Sequence, residues 1–440
     1  MKLSRRTVVV GGLVLATGAL AREAPRRQAP AEGGGGALRL SPKEFGAAGD
    51  GQTDDTEALT ALAKAANAAA AARRPVEIHI SGRHAVSRTI MLRPGGAPFS
   101  VIGQGSGTGF VALGNARMDC LALRGGGSGG QAQRIAAPAA FGATTLALSG
   151  GAALAAGDVL LVSNATGYDR DRRDCLVEVV SAAGGRVTLK RPLPFAINPS
   201  QPATATKLAL VRGVKVVNLS FDGRKASGGA TGLTCAFLRD PFVESIRSNG
   251  FSRQSGYGQV YGPCLGGRFH DLDDTGSGWQ GNSNSIKFVN ISGAQITDVA
   301  VNNSNGFGIG ITFVSDSRLG GLKSIASAGR GLKLFGACKN EFTTLIVNNS
   351  GKTGLSISSG SSHNTFSGVE ARGNRETGVW LNGTANDSNR FTRINASGNG
   401  IDLMVAATAP LVDRGNVFTG ALTGFDKVQI EPATQTVFQR

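Results

Sequence analysis

The C-terminal half of the chain repeats a short pattern of apolar and polar positions with a period of roughly 23 residues, which is in the range typical of solenoids. Each unit is a Gly followed by alternating apolar residues, and the step from one unit to the next is nearly constant. The units begin at Gly308, Gly331, Gly354, Gly378 and Gly400. In a solenoid one repeat cannot bury its own apolar face. Because the alternation is strand-like, each repeat is predicted to be one coil of a parallel β-helix.

A second apolar position follows the same step and extends the repeat toward the N terminus. It is occupied by Val217, Val243, Phe269, Ile296, Leu319, Phe342, Phe366 and Phe391. The first three steps of this series, from Val217 to Ile296, are larger than the later steps, so these coils are longer. Extra residues in a regular stack go to loops on one face, often the binding face. We therefore expect a site within residues 223–285.

Residues 44–58 form a different pattern, rich in Gly and Asp and followed by a helix-forming stretch. The glycines permit a tight loop, and Asp54 with Glu57 can cap a helix that runs to about Ala72. This segment resembles the entry motif of the pectate-lyase superfamily of right-handed β-helices, a resemblance that extends over most of residues 40–425. The resemblance implies that the helix closes the N-terminal end of the stack, which makes Asp50, Asp54 and Asp55 structural.

Residues 140–205 interrupt the repeat with four short strand-like runs separated by Gly, Asp and Pro. They predict a small antiparallel β module inserted into the solenoid. The expected fold is thus all-β: a right-handed single-stranded parallel β-helix with an N-terminal capping α-helix and this module. The predicted segments are a signal at 1–21, a linker at 22–37, the cap and first coils at 38–139, the module at 140–205, further coils at 206–425 and a tail at 426–440.

The first residues point to export from a bacterial cell. Arg5 and Arg6 precede an apolar stretch that ends at Leu20, a pattern that resembles a twin-arginine signal peptide with cleavage after Ala21. Residues 22–37 are rich in Pro, Arg and Gly, which is typical of a disordered linker. We expect a periplasmic or secreted protein with no integral membrane segment after cleavage of the signal.

The charge and the cysteines narrow the class of partner. The formal net charge of +16 favours anionic partners. The basic residues are scattered and no nucleic-acid-binding motif occurs, so an acidic polysaccharide is expected rather than nucleic acid.

The five cysteines show no paired metal-type spacing, and their odd number argues against a complete disulfide framework. They are expected to be thiols packed inside the coils.

Alignment of the coils predicts one outward column of side chains that suits a uronic-acid polymer. The column contains Tyr261, Lys287, Gly310, Lys333, Ser356, Trp380 and Asp402. Its cations can neutralise sugar carboxylates, and aromatic faces can pack on sugar rings. The candidate substrate-binding residues are Arg253, Tyr257, Arg330, Trp279 and Trp380. The alternative is a solvated sheet face whose lysines only prevent association with other molecules.

A second candidate cluster is the run from His270 to Asp274. Asp271, Asp273 and Asp274 could bind Ca²⁺ through their oxygens or supply a carboxylate pair for glycoside hydrolysis, and His270 could transfer a proton. Leu272 is expected to point inward, which places Asp271 and Asp273 outside, while Asp274 is expected to begin the turn. The alternative is that these residues only stabilise a coil corner.

The preferred function is a polysaccharide lyase that performs β-elimination on an acidic glycan. Lys287 or Lys333 is the candidate base, and Tyr261 or Tyr257 the candidate acid. No cofactor is required by this chemistry, and Ca²⁺ is the one metal that the sequence suggests.

Three alternatives to a lyase remain open on sequence alone. The first is hydrolysis by Asp271, Asp273 and Asp274. The polygalacturonase branch of the superfamily typically has a Gly-His-Gly motif that this chain lacks, although it contains Asp273-Asp274. C5 epimerisation shares the proton abstraction with elimination, so the sequence does not separate the two. The third alternative is a β-helix that binds glycans without acting on them.

Overall fold

The computed structural model describes residues 36–105, 107–114, 117–150, 153–165, 172–254, 256–280, 283–382, 386–406, 415–431 and 434–439. The predicted signal and nearly all of the predicted linker lie outside these residues. Residues 37–440 form one unit. None of the helices in the described ranges is long and apolar enough to cross a membrane.

The described residues form one α-helix, α1 (Thr56–Ala71), one 3₁₀ helix (Pro42–Phe45) and 36 strands. In chain order the strands are β1 (Leu38–Leu40), β2 (Asp50–Asp54), β3 (Val76–Ile80), β4 (Arg83–Val86), β5 (Ile90–Leu92), β6 (Phe99–Gly103), β7 (Gly109–Ala112), β8 (Met118–Arg124), β9 (Gly127–Ser128), β10 (Gln133–Arg134), β11 (Thr145–Ala147), β12 (Val159–Ala165), β13 (Arg172–Ala183), β14 (Arg186–Leu189), β15 (Ala203–Ala209), β16 (Val214–Asp222), β17 (Ala230–Ala236), β18 (Leu238–Arg239), β19 (Phe242–Asn249), β20 (Tyr257–Tyr261), β21 (Cys264–Leu265), β22 (Arg268–Thr275), β23 (Asn284–Ser292), β24 (Gln295–Asn302), β25 (Phe307–Ser315), β26 (Arg318–Ile325), β27 (Leu332–Phe335), β28 (Glu341–Asn348), β29 (Thr353–Ser358), β30 (Thr365–Arg372), β31 (Thr377–Asn382), β32 (Arg390–Ser397), β33 (Ile401–Val405), β34 (Val417–Thr423), β35 (Val428–Ile430) and β36 (Val437–Gln439).

Two long parallel sheets form the walls of the solenoid. Among the described strands, sheet A has 16 members, including β16, β19, β22 and β24, and sheet B has 13, including β17, β20, β23 and β25. The chain crosses from one sheet to the other in every coil. Equivalent residues of successive coils are paired, so that Phe342 lies beside Phe366 and Phe366 beside Phe391. This topology confirms the parallel β-helix predicted from the period.

The interior combines an aromatic stack with ladders of buried amides. The rings of Phe342, Phe366 and Phe391 are stacked with centroids 4.7 Å apart at each step. At a neighbouring corner, the Oδ1 atom of Asn364 accepts a hydrogen bond from the backbone N–H of Asn340. Such ladders satisfy the backbone groups that the buried corners leave without strand partners.

Sheet A bends in each coil at one residue with a left-handed backbone. The residues at this position are Asn218, Ser245, Asp271, Asp298, Gly321, Thr344, Gly368, Arg393 and Gly420, all with positive φ. Gly, Asn and Asp adopt this conformation at the lowest cost. Because the bend falls within the strand, side chains before and after it face different directions.

Helix α1 closes the N-terminal end of the stack, as the sequence predicts. Asp55 precedes the helix, and its Oδ2 lies 2.8 Å from Nδ1 of the buried His84. Leu59, Leu62 and Ala66 are buried in the same core as the first coils. The Asp55 carboxylate also accepts two backbone N–H groups of the preceding loop, so its role is structural.

The inserted module is an antiparallel sheet with its own apolar core. Its strands run from β9 to β15, whereas the sequence placed the module within 140–205. The backbone N–H of Leu176 donates to Oγ of Ser292, and Nε of Arg173 donates to the carbonyl of Gly360. These contacts attach the module to the coils beside sheet B. At the other end, β35 and β36 continue the coils into the residues assigned to a tail.

Candidate functional site

Sheet B carries one column of outward positions that crosses five coils. The strand register pairs Lys287 with Gly310 and Gly310 with Lys333, then Lys333 with Ser356 and Ser356 with Trp380. The register therefore matches the predicted column at these five positions. Because neighbouring strands lie about 4.8 Å apart, Lys287 and Lys333 are separated by about 10 Å.

Tyr261 does not belong to this column, which corrects the sequence prediction. It pairs with Phe288, and Val260 is the residue beside Lys287. The Tyr261 ring is buried inside the solenoid, where its hydroxyl donates to Oε1 of Gln259. Burial raises the pKa of Tyr261 well above its usual value. Since Tyr261 faces the interior, it cannot deliver a proton to a polymer on the outer surface.

Asp402 is also misplaced in the predicted column. The register pairs Trp380 with Met404, two positions beyond Asp402. The Asp402 side chain is buried, and its carboxylate accepts backbone N–H groups of Asn399 and Lys427. It therefore terminates an interior polar ladder instead of extending the outer surface.

Aromatic rings support the two lysines of the column. The Nζ atom of Lys287 lies 5.8 Å from the ring centroid of Tyr257. The Nζ atom of Lys333 lies 5.4 Å from the ring of Phe307 and 5.5 Å from that of Phe335. At these distances a cation is attracted by the ring quadrupole, so the rings fix the positions of both ammonium groups.

Arg330 lies in the corner beside the column, near the rings of Phe307 and Trp380. Its guanidinium carbon is 5.2 Å from the Trp380 ring and 5.8 Å from the Phe307 ring. The structure therefore brings Tyr257, Arg330 and Trp380, all predicted as substrate-binding residues, onto the same surface as the lysines.

The cations of this surface are partly buried. Burial lowers the pKa of Lys287. Burial also lowers the pKa of Arg330, an effect that the charge of Glu376 opposes. Within the described ranges, no carboxylate lies within 4.0 Å of the charged nitrogens of Lys287 or Arg330. Burial of such charges is costly, so an anionic ligand would bind here favourably.

Four polar atoms on or beside the same surface lack hydrogen-bond partners among the described residues: Nδ2 of Asn284, Oγ1 of Thr353, Oγ of Ser356 and Nε1 of Trp380. Asn284 is 6% exposed and Ser356 is 0% exposed. The Asn284 amide lies over Gly310, because a Cβ added to that glycine would be 2.5 Å from Cγ of Asn284. Buried polar atoms normally find partners, so each of these atoms requires an explanation.

The module borders the column on one side. Its Arg172 guanidinium lies 4.9 Å from the ring of Phe313, which packs edge-on against Phe335 at 5.4 Å. Phe335 in turn contacts Lys333. On the other side are the loops that lead into sheet B. They carry the exposed Arg253 before β20 and Trp279, which is 41% exposed, before β23.

The second predicted cluster lies on sheet A, so the structure does not combine it with the lysines. Its Asp271 is ion-paired with Arg247 at 2.6 Å and accepts a hydrogen bond from Ser245 at 2.7 Å. Partial burial acts to raise the pKa of Asp271, but the bonds from Ser245 and Arg247 outweigh it and the pKa is lowered. Asp273 lies 4.0 Å from the Nε atom of Arg247, and its Oδ1 has no hydrogen-bond partner among the described residues.

His270 is engaged by the next coil of sheet A. Its Nδ1 atom lies 2.9 Å from Oγ1 of Thr297 and 3.1 Å from the carboxylate of Asp298. The ring is thus held between neighbouring coils, away from the lysine column on the other sheet.

Asp274 points into the solenoid and does not begin the turn, contrary to the prediction. It still belongs to β22, which ends at Thr275, and its alternation with Leu272 turns it inward. Burial raises the pKa of Asp274 to about 6, although hydrogen bonds from Ser248 and Ser277 oppose this effect. Asp274 therefore cannot join Asp271 and Asp273 around one ion.

The described residues contain no group of three His, Cys, Asp or Glu side chains able to hold a metal ion. All five cysteines are free thiols and buried. The lysine column therefore remains the strongest candidate site, and its chemistry rests on ammonium, guanidinium, hydroxyl and amide groups.

Sequence reasoning missed several residues of this surface, including Asn284, Phe307 and Phe335. The sequence contained a signal for Phe307, because the residues before the first four repeated glycines form a second series. Its members are Phe307, Arg330, Thr353 and Thr377. Of these residues only Arg330 was predicted to belong to the site, because it is charged. The other three are uncharged, and only their equivalent positions in the repeat relate them to Arg330.

Known proteins share the fold of this chain at low sequence identity. No model of a protein family matches the chain, and no functionally curated protein matches it in sequence. The tailspike gp61 of Pseudomonas phage phi297 is 16% identical, with a TM-score of 0.56 over 87% of this chain and 70% of the tailspike. The tailspike protein gp49 of Pseudomonas phage LKA1 is 15% identical, with a TM-score of 0.54 over 91% of this chain and 79% of the tailspike. These similarities define the chain as a right-handed parallel β-helix protein.

Proposed function

We propose that this protein is an exported enzyme that binds an acidic, uronate-containing polysaccharide along the lysine column of sheet B and cleaves it by β-elimination. The observation that carries the proposal is the grouping of Lys287, Arg330 and Lys333 on one partly buried, aromatic-lined surface. A polyanion that spans several coils would meet all three cations. Export by the twin-arginine route, to the periplasm or the medium, is part of the same proposal.

The elimination needs a base, an acid and a cationic clamp. In the proposed reaction, the neutral amine of Lys287 removes the proton from C5 of a uronate. The C4–O bond then breaks while the C4=C5 double bond forms, and the leaving oxygen receives a proton from Tyr257. Lys287, protonated by this transfer, stabilises the negative charge that develops on the carboxylate side of C5. Lys333, about 10 Å along the column, and Arg330 bind carboxylates of other sugars and hold the polymer in place.

Two features of Lys287 support its role as the base. Burial lowers its pKa, which increases the fraction of neutral amine near neutral pH. Its ammonium group also lies against the ring of Tyr257, so base and acid are neighbours. The carboxylates of sheet A support hydrolysis less well, because Asp271 is ion-paired and Asp274 faces the interior. No Ca²⁺ is required by the proposed steps.

A panel of acidic polysaccharides incubated with the purified protein tests the proposal. We expect chain cleavage accompanied by the ultraviolet absorbance of an unsaturated uronate, and loss of both in a Lys287→Ala variant. New reducing ends without that absorbance would favour a hydrolase, and inverted C5 centres in uncleaved chains an epimerase. Saturable binding without any change in the polymer would favour a binding protein. Each of these three results would overturn the lyase assignment.

A further inference from the structure

The column on sheet B alternates between charged and neutral groups. Lys287 provides a cation at the first coil, and the second coil contributes Gly310, over which the Asn284 amide lies. Lys333 provides a cation at the third coil, followed by Ser356 and Trp380 at the fourth and fifth. Charged positions of the column thus recur at the first and third coils, about 10 Å apart, and beyond them the nearest cation is Arg330 in the adjacent corner.

Three of the polar atoms without partners occur at the neutral positions of this column. They are Nδ2 of Asn284, Oγ of Ser356 and Nε1 of Trp380. An amide N–H and an indole N–H can only donate hydrogen bonds, and a serine hydroxyl can donate or accept. Leaving a buried donor without an acceptor is unfavourable, so these atoms suit a ligand that supplies oxygen acceptors between its charged groups.

The strand β29 of sheet B contains a direct contrast to Ser356. Ser358, two positions later, is also buried, but its hydroxyl donates to the carbonyl of Leu334 at 2.8 Å. The other buried serine of this strand therefore has a partner that Ser356 lacks, although Thr353 at the start of β29 is also buried without one.

Resting on the proposed function, we infer that the polysaccharide is a heteropolymer in which uncharged sugars separate the uronates. One sugar of an extended chain spans about the distance between two coils. A uronate at Lys287 and another at Lys333 would place an uncharged sugar beneath the Asn284 amide. Ser356 and Trp380 would then bind the oxygens of uncharged sugars beyond Lys333. A homopolymer of uronates would instead place a carboxylate at Gly310, a position of the column that has no cation.

Binding measurements with two classes of polymer test the inference. The probes are polygalacturonate, in which every sugar is charged, and hyaluronan and unsulfated chondroitin, in which N-acetylated sugars separate the uronates. Isothermal titration calorimetry gives Kd for each oligosaccharide, with kcat/KM as a second readout where the polymer is turned over. We expect tighter binding of the alternating polymers by the wild-type protein.

Two substitutions test whether the preference for alternating polymers arises from the column. Ser356→Ala should weaken binding of the alternating polymers about tenfold, the value of one hydrogen bond, and leave polygalacturonate nearly unchanged. Trp380→Phe keeps a ring for Arg330 but removes the N–H, and should act in the same direction. Ser358→Ala is the matched control and should alter neither Kd. Thermal unfolding of each variant verifies that the fold is retained.

Failure of the inference can be told apart from failure of the proposed function. Polygalacturonate bound at least as tightly as the alternating polymers would overturn the inference, while cleavage that depends on Lys287 would leave the lyase proposal standing. An equal loss for both polymer classes in Ser356→Ala would also overturn the inference. Binding of no acidic polymer from either class would overturn the inference and the proposed function together.

Discussion

The two long sheets of the solenoid differ in how they hold their outward charges. On sheet A, Arg247 is ion-paired with Asp271 at 2.6 Å. On sheet B, Lys287 and Arg330 lie against aromatic rings, and no carboxylate of the described residues is within 4.0 Å of their charged nitrogens. Paired charges on an exposed sheet contribute little beyond solubility and coil alignment. On sheet A, Lys215 and Arg268 also lie near a ring, that of Phe242, but both cations are exposed. The cations of sheet B are partly buried, so they gain more from an anionic ligand, which is why sheet B carries the proposed site.

The largest effect on turnover is expected from removal of the proposed base, Lys287. Lys287→Ala should lower turnover about 10²- to 10⁴-fold, because general-base catalysis contributes factors of that size. Lys323, an exposed lysine on sheet A, provides the control, and Lys323→Ala should leave turnover unchanged. Initial rates of unsaturated-uronate formation measure both. Similar rates in the two variants would contradict the assignment of the site to sheet B.

Asp274 tests whether the acidic run of sheet A is structural. Its pKa of about 6 in the folded protein lies above the usual 3.8, so the folded state binds this proton more tightly than the unfolded state. The stabilisation is present at low pH and is lost as pH rises through about 6, a fall of roughly 3 kcal/mol in the free energy of unfolding. Asp274→Asn should abolish this fall in urea titrations between pH 4 and pH 7. Asp273→Asn, at the preceding position, should retain it, and an unchanged slope in Asp274→Asn would contradict the buried assignment.

The two tyrosines of β20 lie on different sides of the strand, Tyr257 beside Lys287 on the outer surface and Tyr261 in the interior. Tyr257→Phe keeps the ring beside Lys287 but removes the proposed proton donor, so kcat should fall roughly tenfold to a hundredfold. Tyr261→Phe removes a buried hydrogen bond to Gln259 and should lower the free energy of unfolding by about 1 kcal/mol without changing kcat. Steady-state kinetics and urea titrations of both variants check this pair. A fall in kcat in Tyr261→Phe and not in Tyr257→Phe would instead identify Tyr261 as the proton donor.

The regularity of the coils determined how far the sequence could predict this surface. Lys287, Gly310, Lys333, Ser356 and Trp380 were aligned correctly because the coils that carry them are nearly equal in length. The alignment failed at both ends of the column. The longer coils before Lys287 moved Tyr261 inward. At the other end, Gly400 follows Gly378 by 22 residues, but the strand register pairs Trp380 with Met404, 24 residues on, so the prediction at Asp402 was two positions short.

The remaining differences between the predicted and the observed structure have local causes that the repeat of apolar positions does not reveal. The strand β22 continues to Thr275, so Asp274 faces inward where the sequence predicted a turn. The left-handed residue at Asp271 bends sheet A, so that the buried Phe269 and Leu272 on either side are three positions apart and not two. The buried amides Asn340 and Asn364 look like ordinary turn residues, because their pairing joins neighbouring coils and not neighbouring positions in the sequence.

The smallest effect is expected from the outward carboxylates of sheet A. Asp271→Asn removes one member of a half-exposed ion pair, which is worth at most about 1 kcal/mol. Turnover should therefore stay within about twofold of wild type in Asp271→Asn and in Asp273→Asn, as measured by reducing-end release. A loss of a hundredfold or more in either variant would favour hydrolysis by the sheet A carboxylates.

The location of a bound oligosaccharide tests the account most directly. A crystal structure of the Tyr257→Phe variant with an acidic oligosaccharide selected from the panel would show which sheet binds the glycan. We predict sugars along sheet B from Lys287 to Trp380, with carboxylates beside Lys287 and Lys333. An oligosaccharide bound over Asp271 and Asp273 on sheet A, with sheet B unoccupied, would contradict the central claim.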